Sequence, residues 1–273
     1  MVKILLFLLL VSLNKTAYGG KELAVTIDDL PFVCGRYLPD VIESDKFRQI
    51  LKTLQKHKLR VIGFVVGSQI NEKNCQLLDE FVVEGHLVGN HTFTHPDLNN
   101  TSVERYKSDI IKGENVINKW VGQQKYFRYP YLHQGSTESK YHDISEFLCT
   151  GSYINVPVTI DNDDWLFNKQ FTDALNRKDS SLADSIGRAY LAHMQEMTYY
   201  FDSLATTKFK RDVKHILLVH MNELNSFYLD QLLKWYQAQG WRFITPKEAL
   251  TDSVYRVQDT YIGTKGLSWL LRF

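Results

Sequence analysis

The sequence predicts an α/β fold in which six or seven parallel strands are covered by helices. Short apolar runs rich in β-branched residues alternate along the chain with longer segments of helical periodicity. The length of 273 residues suits one large domain, and no repeat, low-complexity segment or Pro/Gly linker divides it. These patterns leave open whether the sheet closes into a barrel or remains an open, doubly wound sheet.

The predicted strands are short and mostly apolar, as in parallel strands that are buried on both faces. In chain order they are Leu23–Ile27, Arg60–Val66, His86–Val88, Tyr126–Tyr129, Ser152–Ile160, His215–Val219 and Trp241–Ile244. Helical patterns fill most of the intervals, in Ser44–His57, Glu72–Glu84, Thr101–Trp120, about 167–204 and Ser226–Gln239. Two capping boxes mark helix starts, Thr101 with Glu104 and Thr245 with Glu248. The segment 167–212 is long for one crossover, so we predict a helical insertion there.

Composition excludes several classes of protein. Apolar residues make up 44% of the chain and aromatic residues 13%, which is too much for a disordered protein. The net charge of +1 provides no global attraction for nucleic acid or anionic lipid, so we expect no nucleic-acid partner. Cys34, Cys75 and Cys149 are too few for a disulfide framework and too far apart for a Cys-x-x-Cys motif. We therefore interpret them as packing residues.

Residues 1–19 have the pattern of a secretory signal peptide. Lys3 precedes the apolar run Ile4–Leu13, and small residues stand at Ala17 and Gly19. That run of about ten residues is shorter than the roughly 20 that a spanning helix needs. Cleavage after Gly19 would leave residues 20–273, with 30 basic and 31 acidic residues. We expect an exported protein, periplasmic or extracellular, with no stable membrane insertion after cleavage.

Polar residues follow five of the predicted strands at the point where each ends. They are Asp28 and Asp29, Asn90–Pro96, Arg128–Tyr131, Asp161–Trp165, and His220 after Leu218 and Val219. Active sites of parallel α/β folds collect at the carboxyl ends of the strands. Five such strand ends in one chain exceed what a purely structural sheet requires.

His91 and His95 are spaced to bind one ion. On a helical turn, side chains at positions i and i+4 lie on one face, about 5–6 Å apart at Cβ. Asp28 or Asp29 would supply the third ligand, and two histidines with one carboxylate form a catalytic divalent-metal site. An isolated pair of histidines at this spacing is more often solvated or capping, but the neighbouring carboxylates favour the metal.

The adjacent carboxylates Asp28 and Asp29 require a cation or an arginine, because they otherwise repel each other. Successive residues also point in different directions. One of the two can therefore bind metal while the other faces the substrate as a base.

These residues resemble the motifs of the polysaccharide deacetylases of carbohydrate esterase family 4, the NodB-homology domain. The matching segments, in order, are Thr26-Ile27-Asp28-Asp29, His91-Thr92-Phe93-Thr94-His95-Pro96, Arg128-Tyr129-Pro130-Tyr131, Asp161-Asn162-Asp163-Asp164-Trp165 and Leu218-Val219-His220. Each motif alone is weak, but five in the right order are specific, and they span about 23–250. The resemblance implies a distorted (β/α) barrel with fewer than eight strands, over a domain of 20–273.

The resemblance also implies roles for the aspartates, histidines and arginine of the first three motifs. Asp29, His91 and His95 would be the metal ligands, usually for zinc. Asp28 would be the general base, and Arg128 would orient it and keep it ionised.

The remaining motif residues would complete the site. His220 would be the general acid, made more basic by Asp164, and a histidine near pH 7 suits protonation of an amine leaving group. Tyr131 would offer its backbone N–H to the oxyanion. Trp165 and Leu218 would line the pocket for the acetyl methyl group.

The sequence thus predicts a monomeric, zinc-dependent enzyme that removes N-acetyl groups from amino sugars of a glycan, either peptidoglycan or a chitin-type oligosaccharide. Two alternatives stay open: an esterase that removes O-acetyl groups from a polysaccharide, and a non-catalytic glycan-binding protein on the same scaffold. The presence of both the metal ligands and the acid/base residues argues against the non-catalytic protein.

Overall fold

Within residues 20–273, which the computed structural model describes, seven strands form one sheet whose paired neighbours all run parallel. The strands are β1 Glu22–Val33, β2 Ile62–Val65, β3 Leu87–Asn90, β4 Lys125–Phe127, β5 Tyr153–Asn155, β6 Lys214–Asn222 and β7 Arg242–Phe243. The predicted signal peptide, residues 1–19, lies outside the described residues. Along residues 20–273, no helix combines the length and the apolar character that crossing a membrane requires.

The sheet closes into a distorted barrel. Its order is β5-β4-β3-β2-β1-β6, with β7 beside the start of β1. The chain after β5 returns to β6, where Ile160 pairs with Leu217 and the N–H groups of Thr159 and Ile160 both donate to Ile216 O at 3.0 Å. This irregular segment joins the two ends of the sheet, which confirms the predicted barrel of six or seven strands.

Eight α-helices surround the barrel in the described part of the chain. They are α1 Asp40–Lys56, α2 Cys75–Val83, α3 Val103–Ile117, α4 Glu138–Thr150, α5 Asp164–Asn176, α6 Ser180–Phe209, α7 Glu223–Ala238 and α8 Pro246–Ala249. The predicted helical insertion at about 167–212 consists of α5 and α6, which pack against each other. The sequence interpretation missed α4, although Thr137 caps it and Ile144 and Leu148 are buried at helical spacing.

One of the two predicted capping boxes is wrong. The N-cap of α3 is Ser102, whose side chain accepts a hydrogen bond from the Arg105 N–H, so the helix starts one residue after the predicted cap at Thr101. The second box is confirmed, because Thr245 caps α8 through the Glu248 N–H and Pro246 occupies the first helical position.

Strand alternation directs the site residues into the barrel. Side chains of a strand point alternately to its two faces. In β1, Ala24 belongs to the apolar cluster inside the barrel, whereas Val25 and Ile27 belong to the large cluster under the helices. Asp28 shares the inner face with Ala24, and its register partner on β6 is His220. Two titratable side chains therefore face each other across adjacent strands.

A bulge in β1 brings the second aspartate to the same place. The sequence interpretation ended this strand before Asp28, but β1 includes both aspartates and continues to Val33. Its register with β2 shifts between Ile27 and Leu30, and Asp29 has a left-handed φ of 62°. In a regular strand Asp29 would point away from Asp28, and the bulge reorients it.

The C-terminal segment 259–273 lies against the carboxyl end of the barrel. Trp269 N–H donates to Val158 O at 2.6 Å, and Ser268 Oγ donates to Thr159 O at 2.8 Å. A buried ion pair joins Arg272 to Asp259 at the base of the segment. These contacts fix a segment that lies beyond the last motif of the sequence to the end of the barrel.

Gly113 allows α3 to approach the loop that carries His91. A Cβ at this position would lie 2.6 Å from Asn90 Oδ1 and 2.8 Å from the Thr92 carbonyl carbon. Asn90 Oδ1 accepts the Thr92 N–H at 2.8 Å, so the crowded atoms are those that shape the start of the loop. Substitution here must displace either the helix or the loop.

We expect Gly113→Ala to lower the free energy of unfolding by about 1–3 kcal/mol, because the added methyl group overpacks a backbone contact. Urea denaturation measures this change. Gly122→Ala is the matched control, since a Cβ there has no heavy atom within 4 Å, and we expect a change within about 0.5 kcal/mol. Equal stability of Gly113→Ala and the control would contradict the close approach.

Candidate active site

A cleft of about 570 Å³ opens at the carboxyl end of the strands. Its volume is within the range of small-molecule sites, roughly 300–1,000 Å³. Its lining residues are Asp28, Asp29, His91, His95, Tyr131, Leu132, His133, Asp161, Asn162, Asp163, Trp165, Leu218, His220 and Gly266. Eight of the ten predicted site residues are among them, and the other two, Arg128 and Asp164, lie fully buried behind the lining.

Asp29, His91 and His95 converge at one point of the cleft. Their potential ligand atoms all lie within 4.8 Å of one another. Asp29 Oδ1 is 3.5 Å from His95 Nε2 and 3.6 Å from His91 Nε2. This carboxylate oxygen is buried and has no hydrogen-bond partner among residues 20–273. A buried, unpartnered oxygen facing two imidazole nitrogens fits a divalent ion, and the ligand set of two histidines and one carboxylate fits zinc.

The two histidines approach each other through a loop and not through a helical turn. Residues 91–96 are irregular, and Thr92 and His95 both have left-handed φ values, 67° and 55°. Thr92 Oγ1 accepts the His95 N–H at 3.0 Å, which closes the loop on itself. The imidazole rings are 4.8 Å apart between centroids. The predicted pair is present, but the predicted helical geometry is wrong, because the folded loop replaces the helical turn.

Both imidazoles are held in the neutral form that a metal ligand needs. Burial lowers the pKa of His91 well below its ordinary value, and burial also lowers the pKa of His95. His91 Nδ1 donates to Arg128 O at 2.8 Å, so His91 Nε2 is the nitrogen that faces Asp29. A backbone carbonyl that fixes the tautomer in this way is a common feature around metal-ligating histidines.

Asp28 is paired with a buried guanidinium. Asp28 Oδ1 accepts from Arg128 Nη1 at 3.0 Å, and Arg128 Nε donates to Val156 O at 3.0 Å. Burial raises the pKa of Asp28 to about 6, and the nearby Arg128 charge limits the rise. We expected the arginine to determine this pKa; instead burial outweighs it, because the carboxylate loses almost all contact with water. Asp28 is therefore ionised at neutral pH but is a stronger base than an exposed aspartate.

His220 and Asp164 form the expected pair. His220 Nδ1 lies 2.6 Å from Asp164 Oδ1, and the His220 backbone N–H donates to Asp164 Oδ2 at 2.8 Å. Burial alone would lower the pKa of His220, but the Asp164 charge and hydrogen bond raise it to about 10. This value is higher than the near-neutral one we expected, so His220 is an imidazolium at pH 7.

Tyr131, Trp165 and Leu218 lie around the mouth and floor of the cleft. The Tyr131 side chain is 55% exposed and that of Trp165 is 56% exposed, so both rings are available to a ligand. Leu218 is almost fully buried and lies two residues before His220 on the same face of β6. Apolar side chains therefore lie around the polar groups, as in small-molecule binding sites generally.

Several lining residues had no role assigned from the sequence. Three of them belong to the fourth motif: Asp161, Asn162 and Asp163. Their position directly before Asp164 in the sequence could have indicated that they line the cleft. Asn162 Nδ2 donates to Leu218 O at 2.7 Å, which fixes this loop to β6. Gly266 belongs to the C-terminal segment and no motif marks it. His133, two residues after Tyr131 of the third motif, also lines the cleft.

The three cysteines are free thiols, and none of them lines the cleft. Cys34 and Cys75 pack against the large core cluster, as expected, whereas Cys149 is exposed. Burial raises the pKa of Cys34 to about 12, so this thiol is not a nucleophile at neutral pH.

Comparison with known families gives a match over slightly less than half of the chain. Residues 15–143 match the family described as polysaccharide deacetylase. A peptidoglycan-N-acetylglucosamine deacetylase of Bacillus cereus is 29% identical over 149 residues, 54% of this chain and 48% of that protein. A second deacetylase of this name from the same organism is 33% identical over 110 residues, 40% of this chain and 46% of that protein. The chain thus spans about half the length of the curated relatives that it matches.

Solved structures extend the likeness to most of the chain. A CE4 family pseudoenzyme from Bacillus anthracis is 18% identical with a TM-score of 0.58, over 85% of this chain and 66% of that one. The chitin deacetylase of Colletotrichum lindemuthianum is 24% identical with a TM-score of 0.57, over 85% and 88%. At these identities the comparison shows a shared fold.

The family match contains the first three motifs, and the shared fold extends over the barrel that carries the other two. Residues 15–143 thus match the polysaccharide deacetylase family, and the chain as a whole shares the barrel fold of carbohydrate esterase family 4 structures.

Proposed function

We propose that the protein is a metal-dependent deacetylase that hydrolyses the N-acetyl groups of amino sugars in a glycan and releases acetate. The observation that carries this proposal is the division of the two aspartates: Asp29 faces His91 and His95, whereas Asp28 is held by Arg128 beside His220. Relatives named peptidoglycan-N-acetylglucosamine deacetylases support peptidoglycan as one substrate, and a fold neighbour named chitin deacetylase supports a chitin-type oligosaccharide as another.

Asp29, His91 and His95 would hold the metal, for which the ligand types favour zinc. A bound zinc ion supplies Lewis-acid chemistry, polarising the acetyl carbonyl and making water more acidic. The neutral imidazoles and the unpartnered Asp29 oxygen are the features of the protein that support its binding.

Asp28 would accept the proton of the attacking water. A general base works best with a pKa close to the working pH, and the pKa of about 6 meets that condition. Asp28 Oδ1 is occupied by Arg128, so Oδ2 is the oxygen available for the proton. Arg128 thus fixes the orientation of the base.

His220 would protonate the amine as the C–N bond breaks. Amide hydrolysis requires this proton, because an amine anion is a poor leaving group. Asp164 keeps the imidazole protonated at neutral pH and, by accepting from Nδ1, leaves Nε2 for the leaving nitrogen. The Tyr131 backbone N–H would stabilise the oxyanion, and the left-handed φ of 57° at Tyr131 gives this peptide group an unusual orientation beside the cleft.

The alternatives are an O-acetyl esterase and a non-catalytic glycan-binding protein. Ester hydrolysis expels an alcohol, which is a better leaving group than an amine and depends less on protonation by an acid. The strong pairing of His220 with Asp164 therefore favours amide hydrolysis. A CE4 family pseudoenzyme shares the fold, so the fold alone does not imply activity. The complete set of metal and acid/base residues favours a catalyst in this chain.

Export to a periplasmic or extracellular space and a monomeric state remain proposals that rest on the sequence. Mass determination of the secreted protein would locate the cleavage site, and light scattering would give the oligomeric state.

We expect the protein to release acetate from N-acetylglucosamine oligomers, and a chelator to abolish this activity until zinc is restored. Asp28→Asn should reduce kcat by at least 10²-fold without loss of bound zinc, because general-base catalysis contributes about 10²–10⁴-fold. Acetate release and metal content are measured on the same preparations. If the zinc-loaded protein releases no acetate from any N- or O-acetylated glycan, the proposal that it is an enzyme fails. Release from acetylated xylan alone would favour the O-acetyl esterase.

We expect Asp164→Asn to move the alkaline limb of the kcat/KM profile downwards. We expect this limb near pH 10 in the wild type, because Asp164 raises the pKa of His220 to about 10. Without the Asp164 charge, burial dominates, so the pKa of His220 falls towards or below the ordinary value of about 6.5, and activity is lost as pH rises through neutrality.

Asp163→Asn is the matched control, because Asp163 is the adjacent exposed carboxylate and makes no hydrogen bond to His220. Its alkaline limb should stay near pH 10. An unchanged profile in a folded Asp164→Asn variant would exclude His220 as the acid that Asp164 tunes.

A further inference from the structure

A second carboxylate–imidazole pair lies at the wall of the cleft, where His133 is a lining residue, and neither member is assigned to chemistry. His133 Nδ1 is 2.7 Å from Asp97 Oδ1, a geometry close to that of His220 and Asp164. Asp97 immediately follows the loop of the metal-binding candidates, and His133 follows Tyr131 by two residues. The pair therefore connects the second and third motif segments at the wall of the cleft.

The hydrogen bonds around this pair fix which ring nitrogen carries the proton. A carboxylate only accepts, so the short contact requires a proton on His133 Nδ1. Asn99 Nδ2 lies 3.0 Å from the same nitrogen and donates to Thr264 O at 2.9 Å, so the Asn99 amide is held beside the ring. Asp97 also accepts the Asn99 backbone N–H at 2.8 Å, which holds its carboxylate in place.

His133 Nε2 is left without a hydrogen-bond partner among residues 20–273, although the ring lines the cleft. The side chain is only 20% exposed, so its ring is held by its surroundings and is not a mobile surface group. An oriented ring nitrogen without a protein partner, inside a cleft, is a site for a hydrogen-bonding group of a ligand.

The position of His133 places that group away from the reacting bond. The Tyr131 ring is 4.6 Å from the His95 ring, and the His133 ring is a further 5.7 Å from the Tyr131 ring. A row of rings thus leads from the candidate metal ligands to His133. When the acetyl group of one sugar lies at His95, His133 is two ring spacings away. The group that contacts His133 would then belong to the neighbouring sugar of the glycan.

The charges of the cleft favour an uncharged group. Among the lining residues there is no lysine or arginine, whereas four aspartates are present, Asp28, Asp29, Asp161 and Asp163. A carboxylate of the ligand would meet these like charges, whereas a sugar hydroxyl would not. A hydroxyl both donates and accepts, so it can pair with Nε2 in either tautomer of the ring.

We propose that His133, oriented by Asp97 and Asn99, binds a hydroxyl group of the sugar next to the one whose acetyl group is removed. This inference rests on the proposed function and adds a subsite to it. His133 would be a substrate-binding residue, and Asp97 and Asn99 would be positioning residues.

Binding separates this subsite from catalysis. The dissociation constants of N-acetylglucosamine and its tetramer are measured by calorimetry on zinc-loaded Asp28→Asn protein, with and without His133→Ala. We expect His133→Ala to weaken tetramer binding about three- to tenfold, the loss of one hydrogen bond, and to leave monomer binding unchanged. His142→Ala, which removes an exposed histidine of α4, should change neither constant.

Rescue by a conservative substitution at Asp97 separates orientation of the His133 ring from a merely structural role. Asp97→Asn keeps an acceptor for the Asn99 N–H but presents an amide to the ring. Since an amide can either donate to or accept from Nδ1, His133 Nε2 can then carry the proton, and a hydroxyl ligand tolerates that exchange. We expect Asp97→Ala, which leaves the His133 ring without an acceptor, to weaken tetramer binding as His133→Ala does, and Asp97→Asn to restore it to within about threefold of the parent.

Equal affinity of the tetramer for the His133→Ala protein and its parent would overturn the subsite, as would a parallel loss of monomer binding. Acetate release by the wild type is measured beside these titrations. If the wild type releases acetate and His133→Ala binds normally, the subsite alone fails. If the wild type neither releases acetate nor binds any oligomer, the proposed function fails with it.

Discussion

The buried guanidinium of Arg128 is the interaction on which the site depends. Its Nη1 donates to Asp28 on β1, and its Nε donates to Val156 O after β5. The guanidinium lies over the ring of Phe64 on β2. The backbone carbonyl of Arg128 accepts a hydrogen bond from His91 Nδ1. A buried charge is tolerated only when it is paired and hydrogen-bonded, so these partners and Arg128 must be present together. One side chain at the end of β4 thereby fixes the orientation of Asp28, the proposed base, and the tautomer of His91, a candidate metal ligand.

The same arrangement separates two titrating groups that face each other across β1 and β6. Burial raises the pKa of Asp28 to about 6, and Asp164 raises that of His220 to about 10. Between these values the carboxylate is ionised while the imidazole is protonated, so a base and an acid coexist on neighbouring strands. Pairs of titratable groups whose environments push their pKa values apart are candidates for acid and base roles in enzymes. The pairing of Arg128 with one and Asp164 with the other maintains the difference.

Much of this was predictable from the sequence, because the motif order and the β/α alternation are local patterns. Apolar runs were enough to predict the core of the first strand, Leu23–Ile27. Their spacing was enough to place the five polar segments at strand ends. The bulge at Asp29 was not predictable in this way, since in a regular strand adjacent side chains point to opposite faces and only the long-range register shows that both aspartates share a cleft. The loop that brings His91 to His95 depends on two left-handed residues, for which the spacing gives no sign. The part played by Gly266 and Thr264 also depends on where the C-terminal segment folds, which no motif encodes.

The central claim is that two adjacent aspartates have separate tasks, one on the metal and one on the proton. Anomalous diffraction at the zinc edge, from crystals of the zinc-loaded protein, tests it most directly. The account predicts one strong peak at about 2.0–2.2 Å from Asp29, His91 and His95, with Asp28 still bound to Arg128. A peak coordinated by Asp28, or zinc bound elsewhere while these three side chains stay empty, would contradict the account.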